Sequence, residues 1–242
     1  MKTSVVYLHV VTPNEGYDTA LDLQSGTYED NAWRFIETYK KFPAGAEHEL
    51  VIVFTNGLPP TPKLYEGLDC TFLFYKGDRW CTGVHQWAAQ FLDSDFALFS
   101  SARSFFWKEG WLKRLVEVRE KHGDGMYATM SSNEGMPHLR TNFYGIDPKV
   151  LRDFPQQVRD RGGTWTFESR EWNISRQYVN EGKPSMLVTW DGEYSFPDWR
   201  KPDNIFRRGD QSNILVLDRH TEIFKHASDE ERERLSKLSD GG

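Results

Sequence analysis

Ser4-Val5-Val6-Tyr7-Leu8-His9-Val10-Val11 is the stretch that decides the fold. It is valine-rich and, after Ser4, apolar apart from His9, with no alternation that would leave one side wet. It therefore reads as a strand covered on both faces. The run is far shorter than the roughly 20 residues of a membrane helix. As a leader it is undermined by His9 and by the lack of a small-residue cleavage site before Pro13. Thr12-Pro13-Asn14-Glu15-Gly16 breaks the strand, and Asp30-Asn31 supplies a cap for the amphipathic stretch Ala32 to Lys41.

Outward from this unit the pattern repeats. Glu49 to Thr55 is a second strand, stopped by Asn56-Gly57, and Cys70 to Tyr75 is a third. Helical spacing over Thr82 to Leu92 precedes a fourth strand, Phe96 to Ser100, and a helix over Gly110 to Lys121. Strands alternating with helices predict crossover connections and a Rossmann-like, mainly parallel α/β sheet flanked by helices. Ligands in such sheets bind beyond the carboxyl ends of the strands. The loops holding Thr12 to Tyr17, Asn56 to Leu58, Gly77 to Trp80 and Ser100 to Arg103 are the places to look. The second half is less regular. Strands are expected over Met126 to Ser131, His138 to Ile146 and Met186 to Trp190, a helix opens at Asp147-Pro148, and another is expected from Glu168 to about Glu181. Asp229 to Leu238 reads as a charged surface helix. No repeat or linker divides the 242 residues, so one domain is expected.

A net charge of −6 gives no global field to attract a polyanion, which weighs against nucleic acid and anionic membrane as partners. Cys70 and Cys81 fit neither a disulfide framework nor a zinc set and read as reduced thiols of a cytoplasmic protein. A Walker loop, a Gly-x-Gly-x-x-Gly turn, His-Glu-x-x-His and Gly-x-Ser-x-Gly are all missing. That removes weight from most P-loop NTPases, dehydrogenases, zincins and α/β-hydrolases. Polar clusters remain. Strand alternation sends His138, Arg140 and Asn142 to one face, either a binding face or the wet side of an edge strand. Arg208, Asp210 and Gln211 gather beside the apolar run Ile214 to Leu217. Trp190, Tyr194, Trp199 and Trp172 are candidate sugar-stacking rings, with core packing as the alternative.

The segment Phe106-Trp107-Lys108-Glu109-Gly110-Trp111-Leu112, following a strand, resembles the turn that opens a helix after the Asp-x-Asp strand of GT-A-type glycosyltransferases. Pro137 to Phe143 resembles the acceptor-side strand of rhamnosyltransferase-like members of family 2. Phe167-Glu168-Ser169 falls where that family carries its Glu-Asp catalytic base. The order of these segments extends the resemblance from Val5 to about Asp218.

The resemblance implies a single GT-A-like domain, with a nucleotide-binding half over about 1–125, an acceptor half over about 126–225 and the charged helix over about 229–238. It implies transfer of a sugar, with inversion, from a UDP-, GDP- or dTDP-sugar to a hydroxyl on a glycan or small molecule. Glu168 would be the base. The donor would meet Thr12, Pro13, Glu15, Tyr17, Asn56, Asp78, Trp80, Ser100, Ser101, Arg103 and Arg208. The acceptor would meet His138, Arg140, Asn142, Trp190, Asp210 and Gln211. One departure matters: Ser100-Ser101-Ala102-Arg103 stands where Asp-x-Asp would hold Mg²⁺ or Mn²⁺. Asp93-Ser94-Asp95 spells the motif but precedes its strand. Arg103 is placed to balance diphosphate charge instead. The alternatives are a non-catalytic carbohydrate-binding protein of the same fold and a sugar-phosphate nucleotidyltransferase, the latter disfavoured by the single Gly in Thr12 to Gly16.

Overall fold

The first strand, β1 (Thr3–Val10), is buried along its whole length. Its alternate side chains feed two cores: Val6, Leu8 and Val10 pack on one face of the sheet, Val5 and Tyr7 on the other. The computed structural model describes residues 1–11, 26–59 and 61–242, so Thr12, Pro13, Glu15 and Tyr17 lie outside the described residues. Beside β1 run β2 (Glu49–Thr55) and β4 (Phe96–Ser100), both parallel to it, with β3 (Cys70–Tyr75) parallel to β2 at the edge. On the other side of β4 come β9 (Phe143–Ile146), β6 (Met126–Ala128), β10 (Ser185–Val188) and β11 (Glu193–Ser195). The eight strands form one sheet in the order β11-β10-β6-β9-β4-β1-β2-β3. Strand β9 is antiparallel to both neighbours and β11 to β10, while β6 and β10 are parallel. The chain is thus a mixed α/β domain with a Rossmann-like sheet flanked by helices.

Helix α1 (Tyr28–Lys41) begins earlier than the Asp30-Asn31 cap suggests. Thr27 is the true cap, locked in a reciprocal box with Asp30, and Asn31 sits buried inside the helix. Helix α2 (Cys81–Ala88) follows β3. Gly110, at φ +80°, opens α3 (Trp111–His122), and its N–H donates to the Pro43 carbonyl. Trp111 is fully buried, with its ring 4.0 Å from Phe106, so Phe106, Trp111 and Leu112 anchor this segment in the core. Asp93 and Asp95 hold Lys2 at the amino edge of the sheet, away from the carboxyl ends of β1 and β4.

The second half departs from expectation in three places. The run His138 to Ile146 is two strands, β8 (His138–Leu139) and β9, because Arg140, Thr141 and Asn142 turn to partners elsewhere. Arg140 N–H donates to the Met130 carbonyl, which follows β6 and precedes β7 (Ser131–Ser132). The expected helix from Glu168 onward is instead the end of α5 (Arg161–Ser169), followed by a separate α6 (Ile174–Asn180) capped by Asn173. Asp160 starts α5 by accepting from Gly163 N–H at 2.7 Å. Finally, Ile214 makes only a bridge to Thr189, and the strand there is β12 (Val216–Leu217), paired with β5 (Phe105–Phe106). The remaining helices are α4 (Pro148–Arg152), α7 (Arg219–His226) and α8 (Asp229–Asp240). No helix among the described residues is long and apolar enough to cross a membrane.

Helix α2 positions α5. Gln86 donates to the Gln156 carbonyl and accepts from Val158 N–H, clamping the segment that leads to the Asp160 cap. Gly83 permits this approach, since a Cβ there would lie 2.0 Å from the Val158 carbonyl oxygen, a backbone atom that cannot swing aside. Gly83→Ala is expected to destabilise the chain by about 1–3 kcal/mol, the usual cost of overpacking. Denaturant titration checks it, and a loss under 0.5 kcal/mol would contradict the clamp.

Candidate functional site

A cleft of about 500 Å³ opens at the carboxyl edge of the sheet. Its floor is Leu8 from β1, the Ser101 to Arg103 turn after β4, and Trp80 to Thr82 at the start of α2. One wall is the β8 to β9 corner with α5, and the other is Arg207 with Asp218, Arg219 and His220 at the start of α7. The cleft carries six arginines against three carboxylates, Glu134, Glu168 and Asp218, in a chain of net charge −6. Arg103, Arg140 and Arg207 are only 7%, 9% and 8% exposed. Burial and the nearby Arg140 push the Arg207 guanidinium down to about 10. Burying like charges together is costly, and Glu134, Glu168 and Asp218 offset only part of the positive charge in the cleft.

Glu168 lies in the last turn of α5, where a helix dipole gives a carboxylate no support. It is held from β9's approach instead. Its Oε2 accepts the Thr141 N–H at 2.7 Å and a short bond from the Thr141 hydroxyl. Oε1 has no donor among the described residues and lies 3.8 Å from His138 Nε2. The two oxygens therefore have different environments, one tied to the backbone and one free to take a proton. Burial pushes the Glu168 carboxyl up, but Arg140, His138 and the two Thr141 bonds outweigh it and hold it below the ordinary 4.5. His138 is fully buried and donates Nδ1–H to the Met136 carbonyl at 2.8 Å. Burial lowers its pKa against the opposing pull of Glu168.

The sign of the Glu168 shift fixes a pH effect. A carboxylate depressed in the folded chain contributes stability above its unfolded pKa and loses it as pH falls through the folded one. As a base it also stays ionised below the ordinary range. Thr141→Val deletes the hydroxyl donor while keeping the N–H, so the pKa rises. The acid limb of any Glu168-dependent activity is expected to move to higher pH, and an unmoved limb would show that the hydroxyl does not tune the carboxylate.

Asp218 caps α7, accepting from His220 and Thr221 N–H through Oδ1 and from Asn142 through Oδ2. Burial raises its carboxyl and drives the His220 ring well below its usual value, and the charges of Arg140, Arg219, Arg207 and Arg103 push the ring the same way. These groups do not suit a divalent cation. Both Asp218 oxygens and one Glu168 oxygen are engaged, His220 is ringed by guanidinium groups, and no three His, Cys, Asp or Glu side chains converge among the described residues. Burial, with Glu168, pushes the Cys81 thiol up to about 12, which leaves it protonated.

Of the residues singled out in the sequence, the cleft brings together Trp80, Ser101, Arg103, His138, Arg140, Asn142, Glu168 and His220. Ser100 is buried behind it, and Asn56 accepts the Gly77 N–H. Asp78 is exposed. Arg208 points away from the cleft and pairs with Asp240 at 2.6 Å. The reason is Arg207's positive φ of 53°, which turns the chain so that Arg207 faces the cleft. Gln211 supports Arg207 N–H and reaches the Thr221 carbonyl, while Asp210 merely accepts from Ser212. Trp190 is tied to the Ile214 carbonyl outside the cleft, and Trp199 is core. Arg161, Trp165 and Arg170 were not singled out, whereas Arg207 and Arg219 fall in the polar segments Phe206 to Asn213 and Asp218 to His220 that flank Ile214 to Leu217 and read as a candidate site from the sequence. The helical spacing of Arg161, Thr164, Trp165 and Glu168 was the available signal, hidden by placing the helix start at Glu168.

Fold and cleft together define a Rossmann-like α/β domain with an arginine-rich cleft that holds the Glu168 carboxylate. No protein-family model and no curated protein matches the chain. Similar solved structures include HddC from Yersinia pseudotuberculosis, in one case complexed with GMP-PN, at TM-score 0.43 and 9% identity over 64% of this chain and 81% of that one. TarS of S. aureus is similar at TM-score 0.43 and 16% identity over 68% of this chain. The match spans 32% of the TarS chain.

Proposed function

We propose that the chain is a glycosyltransferase that moves a sugar from a nucleotide-sugar donor to a hydroxyl acceptor with inversion. The observation that supports this reading most is Glu168 Oε1, a carboxylate oxygen with no hydrogen-bond donor among the described residues, in a cleft that carries six arginines. In the reaction Glu168 Oε1 takes the proton of the acceptor hydroxyl as its oxygen bonds to the anomeric carbon. The bond from that carbon to the diphosphate oxygen breaks, and the electron pair leaves with the diphosphate. Arg103, Arg140, Arg207 and Arg219 stabilise that charge, doing with fixed donors what a cation does elsewhere. The nucleotide would occupy the side of residues 1–125 and the acceptor the α5 side, in residues 126–225.

A radiolabelled panel of UDP-, GDP- and dTDP-sugars tests the reading by sugar release to hydroxyl acceptors or water. Turnover of one donor that vanishes in Glu168→Gln supports it. Failure of every donor to bind sinks it, and glycan binding without donor affinity would make the chain a carbohydrate-binding protein.

A further inference from the structure

Helix α5 turns one face to the cleft. Arg161, Thr164, Trp165 and Glu168, at spacings i, i+3, i+4 and i+7, all line it, while Phe167 on the far side packs on Phe154. Trp165 is 48% exposed although a large aromatic ring gains by burial, and it stands three residues, about 4.5 Å of helix rise, from Glu168. Arg161 lies about 10 Å along the helix from Glu168, is exposed, and has no ion-pair partner among the described residues. Arg170 places its guanidinium 5.4 Å from the Trp165 ring centroid, and it too lacks a carboxylate partner. Thr164 Oγ1 is buried without a hydrogen bond on the same face. A half-exposed aromatic ring with one guanidinium over it, a second cation without an ion-pair partner among the described residues and an unused hydroxyl do not make a surface that is satisfied by water alone.

We infer that this face is the acceptor subsite and that it selects a saccharide carrying an anionic group, a carboxylate or a phosphate monoester. This rests on the glycosyltransferase reading above. A sugar ring stacked on Trp165 brings one edge to Glu168 Oε1 and sends its far substituents to Arg161 and Arg170, which recognise the anion. The outer pair is distinct from the buried Arg103, Arg140 and Arg207, which face the floor and the opposite wall. Selectivity for a charged acceptor thus arises at the cleft mouth and donor charge is met deeper in.

Calorimetric titration of the full chain tests this with three oligosaccharides of equal length: neutral, uronate-bearing and phosphate-monoester-bearing. The expected result is a preference of about three- to tenfold for one or both acidic probes over the neutral one, shrinking at high salt as exposed charges are screened. The carboxylate and phosphate arms tell the two anions apart. The double change Arg161→Gln with Arg170→Gln removes the preference, and Trp165→Ala weakens all three probes by about two- to tenfold. Equal affinity for neutral and acidic probes in the parent chain, or a preference that survives the double change, overturns the inference. UDP and GDP titrated into the same samples report the inner cleft. Loss of nucleotide binding in the parent chain counts against the glycosyltransferase reading, whereas loss of the acidic preference alone counts against the subsite.

Discussion

Replacing Glu168 by Gln is expected to lower sugar transfer by about 10²–10⁴-fold, the usual contribution of a positioned general base, with nucleotide affinity near that of the parent. The amide keeps an oxygen that can accept from Thr141, so the β8 to β9 corner stays tied to α5. What disappears is the proton acceptor at Oε1. Because Arg140 and His138 both favour the ionised form, the parent carboxylate is a competent base at neutral pH while its affinity for protons is modest. Positioning therefore has to supply much of the effect. A drop below about tenfold, in a chain that binds donor normally, would place the base elsewhere.

The second large effect is expected at Arg140. Its guanidinium lies over the Phe206 ring at 4.5 Å and donates to Asn142 Oδ1 at 3.2 Å, while its Nε has no partner. A buried donor left unused beside Arg207 is suited to an anionic oxygen. Arg140→Gln deletes a charge-assisted bond of about 1.5–3 kcal/mol, which corresponds to roughly a 10- to 100-fold weaker affinity for UDP or GDP. It also removes the largest influence holding the Glu168 carboxyl down, so the acid limb of activity shifts upward together with the loss of binding. Unchanged nucleotide affinity would mean that the anion bound in this cleft is not a diphosphate.

The sheet was legible where the chain is covered on both faces. Val5 to Val10, Leu50 to Phe54 and Phe96 to Phe99 are continuous apolar runs because helices pack on each side, and no polar residue interrupts them except His9. His9 is accounted for by its short bond to Tyr65 and by Glu29 at 3.4 Å. The cleft was legible where polar residues sit on strand ends, as at Ser101, Arg103 and His138. It was illegible where a side chain's direction depends on tertiary partners. Arg140 to Asn142 alternate like a strand but are drawn apart by Met130, Glu168 and Asp218. The choice between Arg207 and Arg208 is made by one backbone torsion. Glu168 was placed at a helix start because Gly162-Gly163 hides the true beginning at Asp160, a cap that holds only with the Gln86 clamp behind it.

Helix α8, read from its charges as a solvated surface element, reaches back to the cleft wall. Ser239 is fully buried, Ser236 donates to the Arg207 carbonyl, and Asp240 binds both Arg200 and Arg208. The end of this helix thus belongs to the support of the cleft wall that carries Arg207. A purification handle or a sensor-chip tether belongs at Met1, at the amino edge of the sheet across from the cleft. Attached after Gly242, the same handle would tug on Asp240 and report an affinity that belongs to the tether.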